Sequence, residues 1–245
     1  MDGTFLQLAV FAGATFAAAL VAGVSGFAFV LVAVAGWLYV LAPLQVATLA
    51  AGYGLLVQGY GAWKMRHAVN WRRIGPFLLG GVPGIAAGVA VLRWVSPFHL
   101  RMGIAAFLVL YSLYGLTRPT VNPVRAGAWA DVAVGFLSGV LGAITGFAGI
   151  LIVIWCDLRG WPKDIQRGVF QPAAVVLLAL CGLALGVTGS VDLDTAKLFL
   201  IGLPALAAGT WAGFKLYGHV DDALFRKIVL MLLLASGLFL LASMR

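Results

Sequence analysis

The sequence contains no glutamate, and its eight acidic residues are all aspartates. None of them lies deep inside a long apolar segment, where a carboxylate proton relay would need one. Charged residues make up only 10% of the chain, whereas hydrophobic residues make up 63%. With a mean hydropathy of +1.06, this composition excludes an ordinary soluble domain.

Further absences exclude several kinds of chemistry. The two cysteines, Cys156 and Cys181, lie in apolar sequence without CxxC spacing, which argues against a disulfide or a metal site. The chain has no P-loop for ATP-driven pumping and no Ser–His or paired-Asp set at membrane depth. We therefore expect no enzymatic activity and no cofactor or metal. No Lys or Arg precedes Lys64, so we expect the N-terminal apolar run to be part of the mature protein rather than a signal peptide.

What the sequence does contain is a series of apolar runs of about 20 residues, the length that crosses ~30 Å of hydrocarbon. These runs predict an all-α polytopic membrane protein. The net charge of +8 is then explained by basic loops on the inner side of the membrane, and not by a nucleic-acid partner. The predicted helices are 5–23, 27–42, 44–63, 74–92, 99–116, 129–143, 147–158, 167–188, 196–217 and 224–244.

An internal repeat organises these helices. The breaks Val24–Ala28 and Ile144–Ala148 share the order apolar residue, small hydroxyl residue, Gly-Phe-Ala, and they are 120 positions apart. A Gly-x-Pro-x-x-Ala-Ala-Gly block recurs at nearly the same offset, at 81–88 and at 202–209. Two blocks at nearly one offset indicate duplication. We predict two membrane repeats, 1–120 and 121–245, that together form one transmembrane domain.

The distribution of charge predicts how the repeats are oriented. If each break only interrupts one crossing, the inner side holds eight of the sixteen basic residues. If the segments around each break form a hairpin, the inner side holds twelve, which the positive-inside rule favours. The prediction is two inverted-topology repeats, each with a re-entrant or short helical hairpin plus three transmembrane helices. Both termini then lie on the outer side.

The two breaks are the predicted substrate site. A new helix begins at or near Phe27 and at or near Phe147, and Ser25 and Thr145 precede them where an N-cap belongs. The first N–H groups of such a helix lack intrahelical partners, and the helix end is partly positive. Paired helix N-termini at mid-membrane are expected to bind an anion. The candidate substrate-binding residues are Ser25, Gly26, Phe27, Thr145, Gly146, Phe147, Tyr53 and Gln171.

Each of these residues also has a structural interpretation. The hydroxyl residues could cap helices while the glycines allow close packing, and the two phenylalanines could face lipid. A packing role for Tyr53 and a helix-to-helix hydrogen bond for Gln171 stay open. Arg167 is expected either to attract anions at the inner entrance or to anchor its helix at the membrane surface.

The paired Gly-Phe-Ala breaks, Pro43, Pro162 and the two blocks at 81–88 and 202–209 resemble the TauE/SafE family of sulfite and organosulfonate exporters. The resemblance covers nearly the whole chain. It implies export of small sulfur-containing or carboxylate anions across the inner membrane of a prokaryote. The expected partners are a small anionic substrate and the lipid bilayer. Coupling to a proton or another ion, a homodimer, an anion channel and a non-transporting assembly factor stay open as alternatives.

Overall fold

The computed structural model describes residues 2–37, 40–41, 43–91, 97–117, 123–145, 149–185 and 193–242. Within these residues every regular element is helical, as predicted, and a short 3-10 helix covers Arg66–Ala68. The α-helices are α1 (Asp2–Ser25), α2 (Phe29–Trp37), α3 (Pro43–Lys64), α4 (Trp71–Val91), α5 (Pro97–Thr117), α6 (Ala128–Thr145), α7 (Ile150–Leu158), α8 (Lys163–Leu185), α9 (Leu193–Tyr217) and α10 (Asp222–Ala242).

Most helices lie within a few residues of their predicted bounds, and α2 differs most. The sequence predicts a helix over 27–42, but α2 ends at Trp37, where the N–H groups of Val40 and Leu41 both turn back to the Trp37 carbonyl. With nine residues each, α2 and α7 are about 14 Å long, well short of ~30 Å of hydrocarbon. Among the described residues, Leu6–Ser25, Trp71–Ala90 and Leu193–Tyr217 are long and apolar enough to cross a membrane.

The helices form two compact units that do not follow the boundary between the sequence repeats. The first unit contains α1, α2, α3 and α9. The second unit contains α4, α5, α6, α7, α8, α10 and the short 3-10 helix. Each unit therefore combines the first three helices of one half with the fourth helix of the other half.

Glycines set the packing of the first unit. Gly202 of α9 lies against Phe11 of α1. Further along the same two helices, Gly213 lies against the backbone of Leu20. Because the residue numbers of the contacting pairs increase in the same direction along both helices, α1 and α9 run parallel. A methyl group on either glycine would overlap these neighbours, so the small residues permit the close approach.

The second unit repeats this packing with α6 and α4. Gly80 of α4 lies against the carbonyl oxygen of Val132 in α6, and Gly88 lies against that of Val140, so these helices are also parallel. The repeated blocks at 81–88 and 202–209 therefore lie on the tightly packed faces of α4 and α9. Outside these pairs, α5 and α10 pack antiparallel, with Gly115 against Leu230.

Connecting segments of the second unit meet at one of its ends. The segments concerned are 66–73, 123–127, 158–168 and 221–226, in which basic residues are frequent. Their contacts are a Val124 N–H to Leu158 carbonyl bond of 2.9 Å, a Lys163 N–H to Asp222 carboxylate bond of 2.9 Å, and the Arg73 guanidinium 5.0 Å from the centre of the Trp161 ring.

Candidate functional site

The first break reverses the chain. α1 ends at Ser25, and Gly26 has a φ of 88°, a left-handed conformation that favours glycine. Its N–H donates to the carbonyl of Ala22 at 2.7 Å. Beyond the break α2 runs back along α1, because the ring of Trp37 lies 5.6 Å from that of Phe11. The two helices therefore form a hairpin with the break at its tip.

Ser25 holds the turn that precedes the returning helix. Its Oγ accepts long hydrogen bonds from the N–H groups of Phe27, at 3.5 Å, and Ala28, at 3.4 Å. Ser25 and Ala28 are fully buried, whereas Phe27 is half-buried. α2 begins at Phe29, two residues after the predicted start. At the tip of this hairpin only Phe27 is partly exposed, since Ser25, Gly26 and Ala28 are buried.

Tyr53 joins α3 to α9 and does not reach the tip with its hydroxyl. The hydroxyl donates to the carbonyl oxygen of Phe199 at 2.7 Å and also lies 3.2 Å from that of Leu198. Its ring stacks on Phe199, with centroids 4.7 Å apart, and lies 5.8 Å from the ring of Trp37. These contacts give Tyr53 the packing role.

The second break is described only in part. Thr145 is the last residue of α6, and the structure describes its backbone without its side chain. Gly146 and Phe147 lie outside the described residues. Gly149 follows them, and α7 then begins at Ile150. α7 returns along α6, because its Trp155 contacts Asp131 near the start of α6.

Arg167 and Gln171 lie on the face of α8 that meets this break. The two residues are four positions apart, and Ala174 continues the same face one turn later. A Cβ built on Gly149 would lie 3.2 Å from the Ala174 methyl group, which places this face of α8 beside the break. Both Arg167 and Gln171 are fully buried. Arg167 lies in the second turn of α8, and the next residue, Gly168, packs against Ala68 at the end where the connecting segments meet.

A charged cluster at the base of the second hairpin was missed by the sequence analysis. The Asp157 carboxylate accepts a hydrogen bond from the Tyr111 hydroxyl at 2.7 Å and pairs with the Arg226 guanidinium at 2.9 Å. Beside it, Asp131 pairs with Arg159 at 3.5 Å. Acids in apolar helices need partners, which could have flagged both aspartates. No local pattern identifies a partner 69 residues away.

The described cavities of the first unit are lined by residues other than those of its hairpin tip. One, of about 450 Å³, lies between α3 and α9 and has an almost entirely apolar lining. Another, of about 430 Å³, is lined by residues that include Gln7, Gln45 and Lys197. Neither is lined by Ser25, Gly26 or Phe27.

Comparisons with known proteins identify a matching family and a relative of this chain. A family model described as "Sulfite exporter TauE/SafE" matches residues 11–240. The "Probable inner membrane transporter protein TsaS" of Comamonas testosteroni is 27% identical over 180 residues, which cover 70% of this chain and 72% of that protein. No solved structure gives a significant match.

Proposed function

Because the chain belongs to the TauE/SafE family, a family of membrane transporters, we propose that it is a secondary transporter that exports small anions. The substrates are sulfite, organosulfonates or related sulfur-containing or carboxylate acids. The observation that carries this proposal is the buried chain reversal at Ser25–Ala28, a turn held by the Ser25 hydroxyl directly before a helix start inside an apolar hairpin. The protein is a multi-pass protein of the inner membrane, and its relative TsaS is described as a probable inner membrane transporter.

Two short returning helices support a transporter over a simple helical bundle. α2 and α7 each extend about 14 Å from a break, so each break lies well inside the hydrocarbon if the hairpin base is at the membrane surface. Irregular backbone at this depth is tolerated only where protein or a watery cavity surrounds it. Broken helices at the midplane are typical of substrate sites in transporters with inverted repeats.

The energetics require more than one helix start. Removing an anion from water costs several kcal/mol, while a helix N-terminus returns at most about 2 kcal/mol. Each hydrogen bond to a charged group contributes about 1.5–3 kcal/mol. One break barely offsets the desolvation cost, whereas two breaks with three or four donors bind weakly enough to release the anion. That Thr145, Gly146 and Phe147 share one site with the first break stays a prediction.

The described residues support distinct roles in this proposal. Ser25, Gly26 and Phe27 supply the first helix start, and because Ser25 is fully buried the hairpin must shift before an anion reaches it. Gln171 supplies a polar group on the face of α8 beside the second break, and Arg167 lies one turn nearer the end where the basic segments meet, at the proposed entrance. Tyr53 would have to release the carbonyl of α9 to bind an anion, so we assign it to holding α9 in place.

The meeting of basic segments at one end of the second unit supports the inverted topology. The segments 66–73 and 158–168 lie on opposite sides of the membrane if the breaks only interrupt a crossing. Their contacts, through Arg73 with Trp161 and Ala68 with Gly168, place them at the same end. In the proposed topology this end is cytoplasmic, and both termini are on the outer side.

The test is flux of labelled sulfite, and separately of an aliphatic sulfonate, in proteoliposomes. Substitution of Ser25→Ala removes the hydroxyl that holds the turn at the proposed site. Loss of one hydrogen bond to a charged group lowers affinity about ten- to hundredfold, so the concentration for half-maximal flux should rise within that range. The matched control is Ser112→Ala, a fully buried serine that bonds to the carbonyl of Leu108 at 2.7 Å.

Two results would contradict the proposal. One is the absence of saturable flux of any small anion by folded protein. The other is an equal effect of the Ser25 and Ser112 substitutions, since this would reduce Ser25 to a stabilising residue.

A further inference from the structure

The groove between α3 and α9 opens on the apolar outer surface of the first unit. It has a volume of about 450 Å³. Three of its side chains are large, apolar and solvent-exposed in the structure: Trp211 at 62%, Leu56 at 46% and Tyr60 at 36%. The remaining lining residues are Val57, Leu203, Leu206, Ala207 and Thr210. In a membrane this groove faces the acyl chains of the lipids.

The same groove ends at a cluster of aromatic and basic side chains. Tyr60 packs on Phe214, with ring centroids 5.4 Å apart, so α3 and α9 finish side by side. Lys64 is the last residue of α3. Lys215 lies in the last turn of α9, with its ammonium 5.3 Å from the centre of the Trp211 ring. The groove therefore runs from an apolar middle to a doubly basic, aromatic lip.

This combination matches an anionic phospholipid better than any wholly apolar occupant. An apolar groove alone gives little preference in a bilayer, because lipid tails are as apolar as the protein side chains. Lysines beside an aromatic belt add an attraction for a negative headgroup. Long lysine side chains reach the headgroup level while their stems stay on apolar surface.

We propose that the α3–α9 groove binds one anionic phospholipid, with an acyl chain between Leu56 and Trp211 and the phosphate at Lys64 and Lys215. The lipid belongs to the inner leaflet if the proposed topology holds, but its chemical class does not depend on the topology or on the transported substrate. The groove lies within the first unit and shares no residue with the candidate substrate site.

Native mass spectrometry of the purified protein tests this proposal, using phosphatidylglycerol and phosphatidylcholine of identical chains at equal concentration. A lysine near an anionic headgroup contributes a factor of about five, so phosphatidylglycerol adducts should exceed phosphatidylcholine adducts at least fivefold. Lys215→Gln should lower that ratio about fivefold. Lys197→Gln is the matched control, because it removes the same charge from the opposite end of α9 and should leave the ratio unchanged.

A second pair of variants tests the groove itself. Ala207 lines the groove, whereas its exposed neighbour Ala208 does not. Ala207→Trp should displace the lipid, while Ala208→Trp should not. Equal binding of both lipids, or a preference that survives Lys215→Gln, overturns the proposal. So does a homodimer that Ala207→Trp dissociates, because the occupant is then a second copy of the chain.

Discussion

The two helical hairpins, α1–α2 and α6–α7, are each closed at the base by a tryptophan hydrogen bond, but the acceptors of the two bonds differ. In each, a tryptophan of the short returning helix donates its indole N–H to a side-chain oxygen of the first helix. Trp37 donates to the Thr15 hydroxyl at 3.1 Å. Trp155 donates to the Asp131 carboxylate at 2.7 Å. The second acceptor is charged, which makes its hydrogen bond shorter and stronger.

The surroundings of the two tryptophans differ as well. Trp37 is fully buried among the rings of Phe11, Phe29 and Tyr53. Trp155 is half-buried, and the Arg159 guanidinium lies 5.8 Å from its ring centre. The second base adjoins the basic connecting segments of its unit, where charged groups can keep contact with water or headgroups. The hairpin shape therefore does not dictate the chemistry that closes it; the local polarity does.

The largest expected effect comes from removing the aromatic ring at the first base. Trp37→Ala should lower the free energy of unfolding by about 3–5 kcal/mol, because it leaves a large cavity in a closely packed cluster. Trp155→Ala should cost less, since that side chain is half-buried and ion pairs remain beside it. Unfolding by SDS in mixed micelles measures both values. If both substitutions lower the free energy of unfolding equally, the aromatic base of the first hairpin and the charged base of the second do not differ in strength.

The next effect tests the charges at the second base. Arg226→Leu leaves the carboxylate of Asp157, only 5% exposed, without its cation, and should cost about 2–3 kcal/mol. Adding Asp157→Asn removes the stranded charge while keeping an acceptor for Tyr111, so the double variant should recover at least half of the loss. Lys227→Leu, at an exposed position of the same helix, is the control and should change little. A double variant as unstable as the single one would show that packing, not charge, holds this base.

The breaks in the sequence are the points where the chain reverses, but no local pattern indicates which side chains close the hairpins. Breaks and apolar runs are local signals, so helix bounds were predicted within a few residues for most helices. α2 is the exception, and the hydrogen bond of its last residue, Trp37, to Thr15 spans 22 positions. The hydrogen bonds of Tyr53 to α9 and of Asp157 to Arg226 are equally non-local. Such pairings depend on how helices pack, which local patterns do not encode.

The arrangement of the duplicated blocks shows the same limit. The similarity of 81–88 to 202–209 in the sequence indicates a repeat. It did not predict that the fourth helix of each half packs on the first helix of the other half. That exchange follows from glycine-lined faces of α4 and α9, where the backbones of α6 and α1 approach closely.

The first helix of each hairpin packs closely against a glycine of another helix. Substitution of that glycine should lower the free energy of unfolding by a similar, smaller amount in both units. A methyl group at Gly80 would overlap the Val132 carbonyl, and one at Gly213 would overlap the Leu20 carbonyl. Substitution of either by Ala should destabilise the protein by about 1–3 kcal/mol through overpacking. Gly13→Ala is the control on α1, where a Cβ meets nothing within 4 Å and no proline follows. There the better helix propensity of alanine should add up to about 1 kcal/mol of stability.

The smallest expected effect isolates the hydrogen bond at the first base. Thr15→Val keeps the shape of the side chain but leaves the fully buried Trp37 indole N–H without its acceptor, and should cost about 1–2 kcal/mol, the lower part of the range for a buried donor left unsatisfied. Thr15→Ser restores a hydroxyl and should recover most of that loss. Thr117→Val serves as the control, since this exposed threonine only bonds back to its own helix, to Leu113 and Tyr114. If the Thr15→Val and Thr15→Ser variants are equally stable, aromatic packing alone closes the first hairpin. The indole hydrogen bond is then present at both bases but does not stabilise the first one.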